Sequence, residues 1–593
     1  MMAGGGAGGA AAWRALLPPR WRRAALLLLL LWLLVTYVFI SPFRCGEGEA
    51  AGGAELQERL RAAAAQLAAL RGQHKALLAQ IKASKLSGSL AGLELLEEAG
   101  EGGDSDVGLP GGPPPQYEAL RRRLLEHTRE LWHYVGHELQ GLLVGEPSAE
   151  RLRAVRDQLQ DRKSELLATQ LRLAEADGHA EWRAHAARQL SRLVQRRLRA
   201  LQHPPDCRTA RKLLCSLNKG CGFGCQVHHI AYCLIFAYAT ERTLVVSSRG
   251  WRYHSQGWEH VFRPLSDTCT TVDTDHVRAW PAASAEARVV SLPFIDSITQ
   301  KPKFLPLAVP KDLAHKILQF NGDPASWWLG QMLKYILQPR PAVMAAINET
   351  IAKLNFRTPI VGVHVRRTDK VGTEAAFHHI HEYMAQAQQY WLLQDRLRPA
   401  PVPRRVYLAS DDASVLEEAR KRYPEVEFVG DPDIARTAAT HRRYTPASLA
   451  GLLVDLALLA RCDYLVCTFS SQVGRVAYEM MQANRADAAG RVASLDDVYY
   501  FGGQNAHDRR ATAPHDPAAP DHIAFKKGDL IGIMGNHWNG YGRGTNKRTN
   551  ARGLFPWYKT EDQLVLYPFP EYRHVPLDGH EPDTPPPLHA YYT

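Results

Sequence analysis

Apolar positions change period from one segment of the chain to the next, and the changes mark its boundaries. Leu56, Leu60, Ala63, Leu67, Leu70, His74, Leu77 and Ile81 step by four and three, the heptad register of a helix with one apolar seam. A Gly-, Pro- and acid-rich break over residues 87–115 interrupts it. Helical spacing then returns at Leu152, Val155, Leu159, Leu166 and Leu173, with Arg162 and Thr169 as weaker members. From about Glu181 the pattern is mixed: residues 243–246 and 287–290 read as strands, 312–320 and 325–337 as helices. A second series opens at residues 359–363, a short β-branched run that reads as a buried parallel strand. It continues through strands at 405–409, 426–429 and 464–468 and a helix at 448–459. Such alternation predicts parallel sheets with right-handed crossovers. After Asn505 short strands and turns take over.

Three strands of the second series end in polar groups. The first is followed by His364, Arg366, Arg367, Asp369 and Lys370, the second by Ser410-Asp411-Asp412, and the third by Thr468-Phe469-Ser470-Ser471-Gln472. Asp455 lies on the intervening helix. Open α/β sheets bind ligands at the carboxyl ends of their strands. Arginine offers phosphate a fixed fork of donors, a carboxylate can accept from the N1–H and N2–H2 edge of guanine, and hydroxyls at a helix start can hold phosphate oxygens. The set points to a phosphorylated or nucleotide ligand.

Composition narrows the setting. A chain of 593 residues needs more than one core, and 45% hydrophobic residues with 13 Trp and 22 Tyr indicate globular units. The formal charge of +11 would suit nucleic acid, but no zinc finger, RNA-binding aromatic signature or basic zipper is present, so no nucleic-acid partner is expected. Arg14, Arg20, Arg22 and Arg23 precede an apolar run at residues 24–40, at the short end for a membrane span. The positive flank should stay cytosolic and the rest lumenal. A short span suits thin early secretory membranes, so a single-pass type II Golgi protein is expected. Cys207, Cys215, Cys221, Cys225, Cys233 and Cys269 then fall in an oxidising compartment and predict disulfides, with zinc at Cys221-x3-Cys225 as the alternative. Asn348-Glu349-Thr350 is a glycosylation sequon, usable if exposed. The helical blocks read as a stem that makes a homodimer, packing on the protein's own globular part being the alternative.

The run HVRRTDKVGTEAAF from His364 to Phe377 resembles the donor-site motif of eukaryotic α-1,6-fucosyltransferases. YLVCTFSSQV, from Tyr464 to Val473, and YYFGGQNAH, from Tyr499 to His507, resemble two further parts of that family. The resemblance implies transfer of L-fucose from GDP-fucose to O6 of the innermost GlcNAc of an N-glycan, with inversion and without metal or other cofactor. It implies that His364 and Asp455 meet guanine, Tyr253 the ribose, and Arg366, Ser471 and backbone near Gly222 the diphosphate. Arg367, Asp411, Asp412 and Gln472 complete the donor set. Glu374 would be the catalytic base, coupled to Lys370, and Lys219, Asp296, Asp496, Tyr500, Gln504 and His537 would hold the acceptor.

The same resemblance implies pairs Cys207–Cys269, Cys215–Cys233 and Cys221–Cys225, and a fourth for which Gly474 stands where a cysteine is expected. Cys467 therefore lacks that partner. Cys462 cannot replace it if the segment between them is extended, since five residues then span about 16 Å. FKKGDLI at residues 525–531, Trp538-Asn539-Gly540 and GLFPWY at residues 553–558 resemble an SH3 barrel, without its ALYDY-like opening. The expected organisation is a cytosolic tail (1–23), signal anchor (24–40), stem with coiled-coil helices (41–180), open α/β catalytic unit (181–358), Rossmann-like GDP-fucose unit (359–504), SH3-like domain (505–565) and tail (566–593). The two α/β units together would be GT-B-like. Asp273-Thr274-Asp275 and Asp431-Pro432-Asp433 mimic metal-binding triplets, and His378, His379 and His381 could chelate, but no metal site is expected. A transferase with another acceptor and a non-catalytic lumenal scaffold are the competing readings.

Overall fold

The computed structural model describes residues 115–142, 149–299, 301–369, 371–372, 375–439, 441–517 and 519–577. All lie in one compact unit, Gly88–Thr593. The apolar run 24–40, the heptads from Leu56 to Ile81, and the residues Lys370 and Glu374 lie outside them. Among the described residues no helix is long and apolar enough to cross a membrane.

Three helices come first: α1 (Pro115–Leu142), α2 (Ala149–Ala176) and α3 (Ala180–Gln202). The first α/β unit follows with β1 (Lys212–Ser216), α4 (Phe223–Ala239), β2 (Thr243–Ser247), β3 (Val277–Ala279), β4 (Val289–Ser291), β5 (Ala308–Pro310), α5 (Lys311–Phe320), α6 (Pro324–Ile336) and α7 (Pro341–Lys353). Its parallel sheet has the order β2-β1-β4-β3. Helix α4 is buried on nearly every side, among the core that β1 and α6 share.

The second α/β unit contains β6 (Val361–Val365), α8 (Ile380–Leu397), β7 (Arg405–Ser410), α9 (Ser414–Arg422), β8 (Glu427–Val429), α10 (Pro432–Ala438), α11 (Pro446–Leu459), β9 (Tyr464–Cys467), α12 (Gln472–Asn484) and β10 (Val492–Ser494). Its sheet is parallel in the order β10-β9-β6-β7-β8. Strand β6 is buried along its whole length, as a strand covered by helices on both faces must be. The chain runs from β6 outward to β8, then returns to lay β9 on the other side of β6. Strand order reverses there, and at such a switch point the loops after adjacent strands part and leave a crevice.

A five-stranded antiparallel sheet follows, ordered β14-β13-β12-β11-β15, from β11 (Asp508–Ala511), β12 (Leu530–Asn536), β13 (Tyr541–Asn546), β14 (Arg552–Pro556) and β15 (Thr560–Asp562). It closes on Ile523, Phe525, Ile531, Phe555 and Trp557. The segment after it is not a loose tail. Strand β16 (Val565–Tyr567) pairs in parallel with β5, and Phe569 packs on Tyr238 and Trp328 of the first unit.

Helices α1 and α2 lie against these units. Arg122 donates to the Leu318 carbonyl at 2.6 Å and Arg129 to that of Gly490 at 3.3 Å. Lys163 of α2 reaches Gln389 of α8 at 3.0 Å, and Asp161 pairs with Arg396. Glu126 of α1 accepts from Arg509 and from the Trp557 indole, both at 3.0 Å. The stripe read from Val155 to Leu173 is not the face that packs. Leu167 and Ala168 are buried, whereas Val155, Leu166 and Leu173 stay exposed.

Fully buried Glu118 holds this arrangement at the start of α1. It accepts from Arg121 at 2.9 Å and from Arg183 of α3 at 2.7 Å, with Arg122 beside it. Burial works to raise its carboxyl, and the arginines outweigh it and hold it below the usual range. Glu118→Ala would remove the carboxylate that Arg121 and Arg183 share, leaving Arg183 to Asp177 and Arg122 to Asp487 and the Leu318 carbonyl, and is expected to cost roughly 1–3 kcal/mol. The urea midpoint reads this directly; an unchanged midpoint would show that α1 is held by other contacts.

Candidate functional site

Strand β6 runs two residues further than its apolar pattern predicts, so His364 sits inside the sheet rather than beyond it. Burial, helped by Arg366, pushes its imidazole down to about 4, which leaves the ring neutral, and buried Nδ1 has no partner among the described residues. The loop that follows is pinned by Asp411 at the end of β7. Its carboxylate accepts from the Arg366 guanidinium at 2.6 Å, the Arg367 N–H at 2.9 Å and the Thr368 N–H at 3.1 Å, and also from the Thr368 hydroxyl. Arg366 also pairs with Asp369, which Arg443 grips from the loop before α11 at 2.7 Å. Burial opposes ionisation of Asp369, yet the two arginines hold it well below the usual carboxylate range. Arg367 turns the other way, onto Glu418 at 2.6 Å and over the Phe377 ring.

Asp455 lines a cavity with Leu408, Ser410, Ala413 and Ile434 at the ends of β7 and β8. It accepts from the Tyr407 hydroxyl at 2.6 Å, and burial pushes its carboxyl up to about 7. Asp412, beside this cavity, is occupied by the Ser414 N–H and hydroxyl at the start of α9. The two metal-like triplets are occupied in the same way. Asp273 accepts from the Asp275 N–H, and Asp431 from that of Asp433. His378 donates or accepts at Glu382, and His379 caps α8.

The first unit meets this region through the Cys221–Cys225 segment. The glycine-rich turn expected there is the opening of helix α4, with Gly222 as its cap residue and the disulfide across its first turn. Tyr253 lies beneath, 2% exposed, its hydroxyl accepting from the Phe223 N–H at 2.9 Å. Its ring neighbours Tyr444, next to Arg443. A Cβ on Gly224 would come within 2.9 Å of the Gln472 Cβ, so this close approach requires glycine. Two helix starts, α4 at Gly222 and α12 at Ser471, therefore meet at one seam, and neither has a side-chain cap. Their N–H groups and dipoles favour an anion.

The residues assigned to the acceptor are spread around the same seam. Lys219 pairs with Asp296 across the loops after β1 and β4. Gly503, with positive φ, lets the Tyr500–Gln504 loop rest on Ile295, one residue from Asp296. The Gln504 Oε1 accepts from the Phe501 N–H at 2.6 Å. Tyr500 lies over Arg475, whose guanidinium is 4.0 Å from the ring centroid. Asp496 is committed to the β9–α12 loop, accepting from the Phe469 N–H at 2.8 Å and the Ser494 hydroxyl at 2.9 Å. His537 is exposed on the turn between β12 and β13. Arg443 and Tyr407 were missed by the sequence reading. Arg443 had a signal, since His441-Arg442-Arg443 is a second basic run, directly before the Thr445-Pro446 helix start.

Three disulfides form as the resemblance implies, Cys207–Cys269, Cys215–Cys233 and Cys221–Cys225, while Cys462 and Cys467 are free and buried. Asn348 is half-buried within helix α7.

Two α/β units bring strand ends, arginines and helix starts to one seam, an arrangement that suits an anionic, nucleotide-like ligand. A family model described as alpha-(1,6)-fucosyltransferase N- and catalytic domains matches residues 14–500. The alpha-(1,6)-fucosyltransferase of Drosophila melanogaster is 47% identical over 483 residues, 80% of this chain and 78% of its own. That of Caenorhabditis elegans is 38% identical over 460 residues, 77% of this chain and 80% of its own. Among solved structures, a NodZ alpha-1,6-fucosyltransferase soaked with GDP-fucose is 19% identical with a TM-score of 0.30, covering 46% of this chain and 92% of that one. The chain belongs to the alpha-(1,6)-fucosyltransferase family, and it is an enzyme.

A Cβ on Gly474 would lie 3.2 Å from the Cys467 Sγ. Gly474→Cys is therefore expected to close a short disulfide loop onto Cys467, worth roughly 2 kcal/mol. Thiol titration in denaturant should give one group fewer than the unaltered protein, with a higher melting midpoint. One group more than the unaltered protein would show that the bond does not form.

Proposed function

We propose that this protein moves L-fucose from GDP-fucose to O6 of the innermost, Asn-linked GlcNAc of an N-glycan, with inversion and without a metal ion. The observation that carries the reading is the seam itself. Two uncapped helix starts lie beside Arg366 and Arg443, next to a cavity with a carboxylate at its wall. Guanine would give N1–H and N2–H2 to Asp455 and take its remaining contact from neutral His364. The ribose would lie by Tyr253. The diphosphate would rest on N–H groups in the first turns of α4, after Gly222, and of α12, after Ser471, and draw Arg366 and Arg443 away from Asp369.

The reaction is a single displacement. The bond from fucose C1 to the β-phosphate oxygen breaks and its electrons stay on GDP, where the arginines and helix starts meet the growing charge. The acceptor O6 forms its bond to C1 from the opposite face, and its proton passes to Glu374 with Lys370 as relay. Both follow closely in sequence on Arg367 and Thr368, which Asp411 pins. Lys219, Asp296, Tyr500 and Gln504 would border the acceptor, with His537 reaching it from the antiparallel domain.

The two α/β units fit a GT-B-like arrangement, and the antiparallel sheet an SH3-like barrel over residues 505–565. The aromatic face that a proline-rich peptide would need is covered by α1: His133 meets Trp538 and Tyr134 meets Tyr541. The barrel therefore serves the acceptor site. The exposed Val155, Leu166 and Leu173, with Leu124 and Leu131 on α1, support a homodimer through these helices. The apolar run 24–40 supports a type II anchor in the Golgi membrane, with the catalytic part lumenal.

The test is incubation with GDP-fucose, EDTA and a biantennary N-glycan bearing terminal GlcNAc, with the product mapped by mass spectrometry. Fucose on O6 of the innermost GlcNAc is expected; no transfer, or transfer to an outer GlcNAc, sinks the reading. Arg366→Ala should lower kcat by a factor on the order of 10² to 10³, about 3–4 kcal/mol. Glu374→Gln retaining near-normal turnover would remove Glu374 as base.

Asp455 adds a pH dependence. Its free carboxyl near 7 must be ionised to accept from guanine, so GDP affinity is present above about pH 7 and is lost as pH falls. The loss approaches tenfold per pH unit until the carboxyl of the bound form also protonates. Calorimetric titration with GDP from pH 8 to 5 measures it. A flat profile would exclude Asp455 from the guanine contact.

A further inference from the structure

Helix α12 carries polar side chains at half-buried Gln472 and at buried Arg475, Glu479 and Gln482, a stripe at helical spacing where an apolar one would pack with less cost. Each has a specific partner. Gln472, in the first turn, meets the His228 Nδ1 at 2.9 Å. Fully buried Glu479 meets the Nε2 of the same histidine at 2.9 Å and accepts from the Tyr499 hydroxyl at 2.5 Å. Arg475 donates to the Tyr500 carbonyl at 2.9 Å and lies flat under its ring. Gln482 accepts from Asn321 at 2.8 Å, tying the far end to the first unit.

The stripe thus touches three things at once. His228 belongs to α4, whose first turn holds the seam. Gln472 follows Ser471 at the anionic end of α12. Tyr499 and Tyr500 begin the loop assigned to the acceptor. We propose that Arg475 and Glu479 are positioning residues, which set Tyr499 and Tyr500 at a fixed distance from the donor end of α12. This rests on the acceptor-side reading of Tyr500. Arg475 acts on both the backbone and the ring of Tyr500, so neither can shift without losing a contact. Glu479 holds Tyr499, one residue earlier, by its hydroxyl alone, and His228 holds the carboxylate from the other side.

Two mild variants keep the fold testable. Arg475→Lys keeps the charge and a donor for the Tyr500 carbonyl but loses the flat face under the ring. Tyr499→Phe removes only the hydroxyl on Glu479. Both are expected to raise the acceptor KM about tenfold while the Kd for GDP stays within about twofold. The KM is measured for whichever acceptor the unaltered protein uses. Failure of the unaltered protein to use the innermost GlcNAc overturns the acceptor reading. An acceptor KM within about twofold of the unaltered value in both variants overturns the positioning role. So does GDP binding that weakens in step with acceptor KM, because that is general loosening of the seam.

Discussion

The contact between the first turns of α4 and α12 is the constraint from which the site follows. Residue 224 can lie against Gln472 only because it has no side chain. With the helices that close, their first turns open onto one seam; the Phe223 N–H is taken by the Tyr253 hydroxyl and the Ser471 N–H by the Thr468 carbonyl, and neither start has a capping side chain. The Arg366 loop is then brought in by Asp411, and Arg443 by Asp369. A methyl group at position 224 would separate the two helix starts and leave each an ordinary solvated terminus. Cooperation between the α/β units is thus a matter of a few tenths of an ångström at one backbone position.

The carboxylates around the seam divide by how many donors each already holds. Asp411 and Asp496 take several backbone N–H groups each and act as pins. Asp412, Asp273 and Asp431 are spent on turns. Asp455 takes one tyrosine hydroxyl and remains largely desolvated, and that burial pushes its carboxyl up to about 7. Residue type says nothing of this division. The local geometry, an Asp two residues before a helical N–H, does.

What was legible in the sequence had a clear period or a fixed spacing. Strands β6, β7 and β9 were apolar runs with polar ends, and the reading placed both within a residue or two. Helix α4 was hidden because it is buried all round, so it lacks the one-sided stripe that marks a helix, and its glycines and cysteines imitate a turn. Helix α1 was hidden for the opposite reason. Its most buried positions are Glu118, Thr128 and Glu130, polar residues that a hydrophobic pattern cannot count. The stripe on α2 was real but faces solvent. The partners of Asp412 and Arg367, Ser414 and Glu418 on the outer helix α9, had no signal in the sequence.

The pairing of β16 with β5 also sets an order of events. Among the described residues strand β5 pairs with β16 alone, and that partner follows it by about 250 residues in the chain. Until Val565 to Phe569 arrive, β5 has no partner strand and the Tyr238–Trp328 patch lacks its Phe569 cover. Domains commonly fold as they are made, from the N-terminal end. Here the first unit cannot be completed before the last one is nearly finished. A nascent chain therefore carries an unpaired strand while the second α/β unit and the antiparallel domain are made, and a chain ending just short of residue 565 would carry it permanently. Quality control that senses unpaired strands could thus read the completeness of the C-terminus from the state of a distant domain.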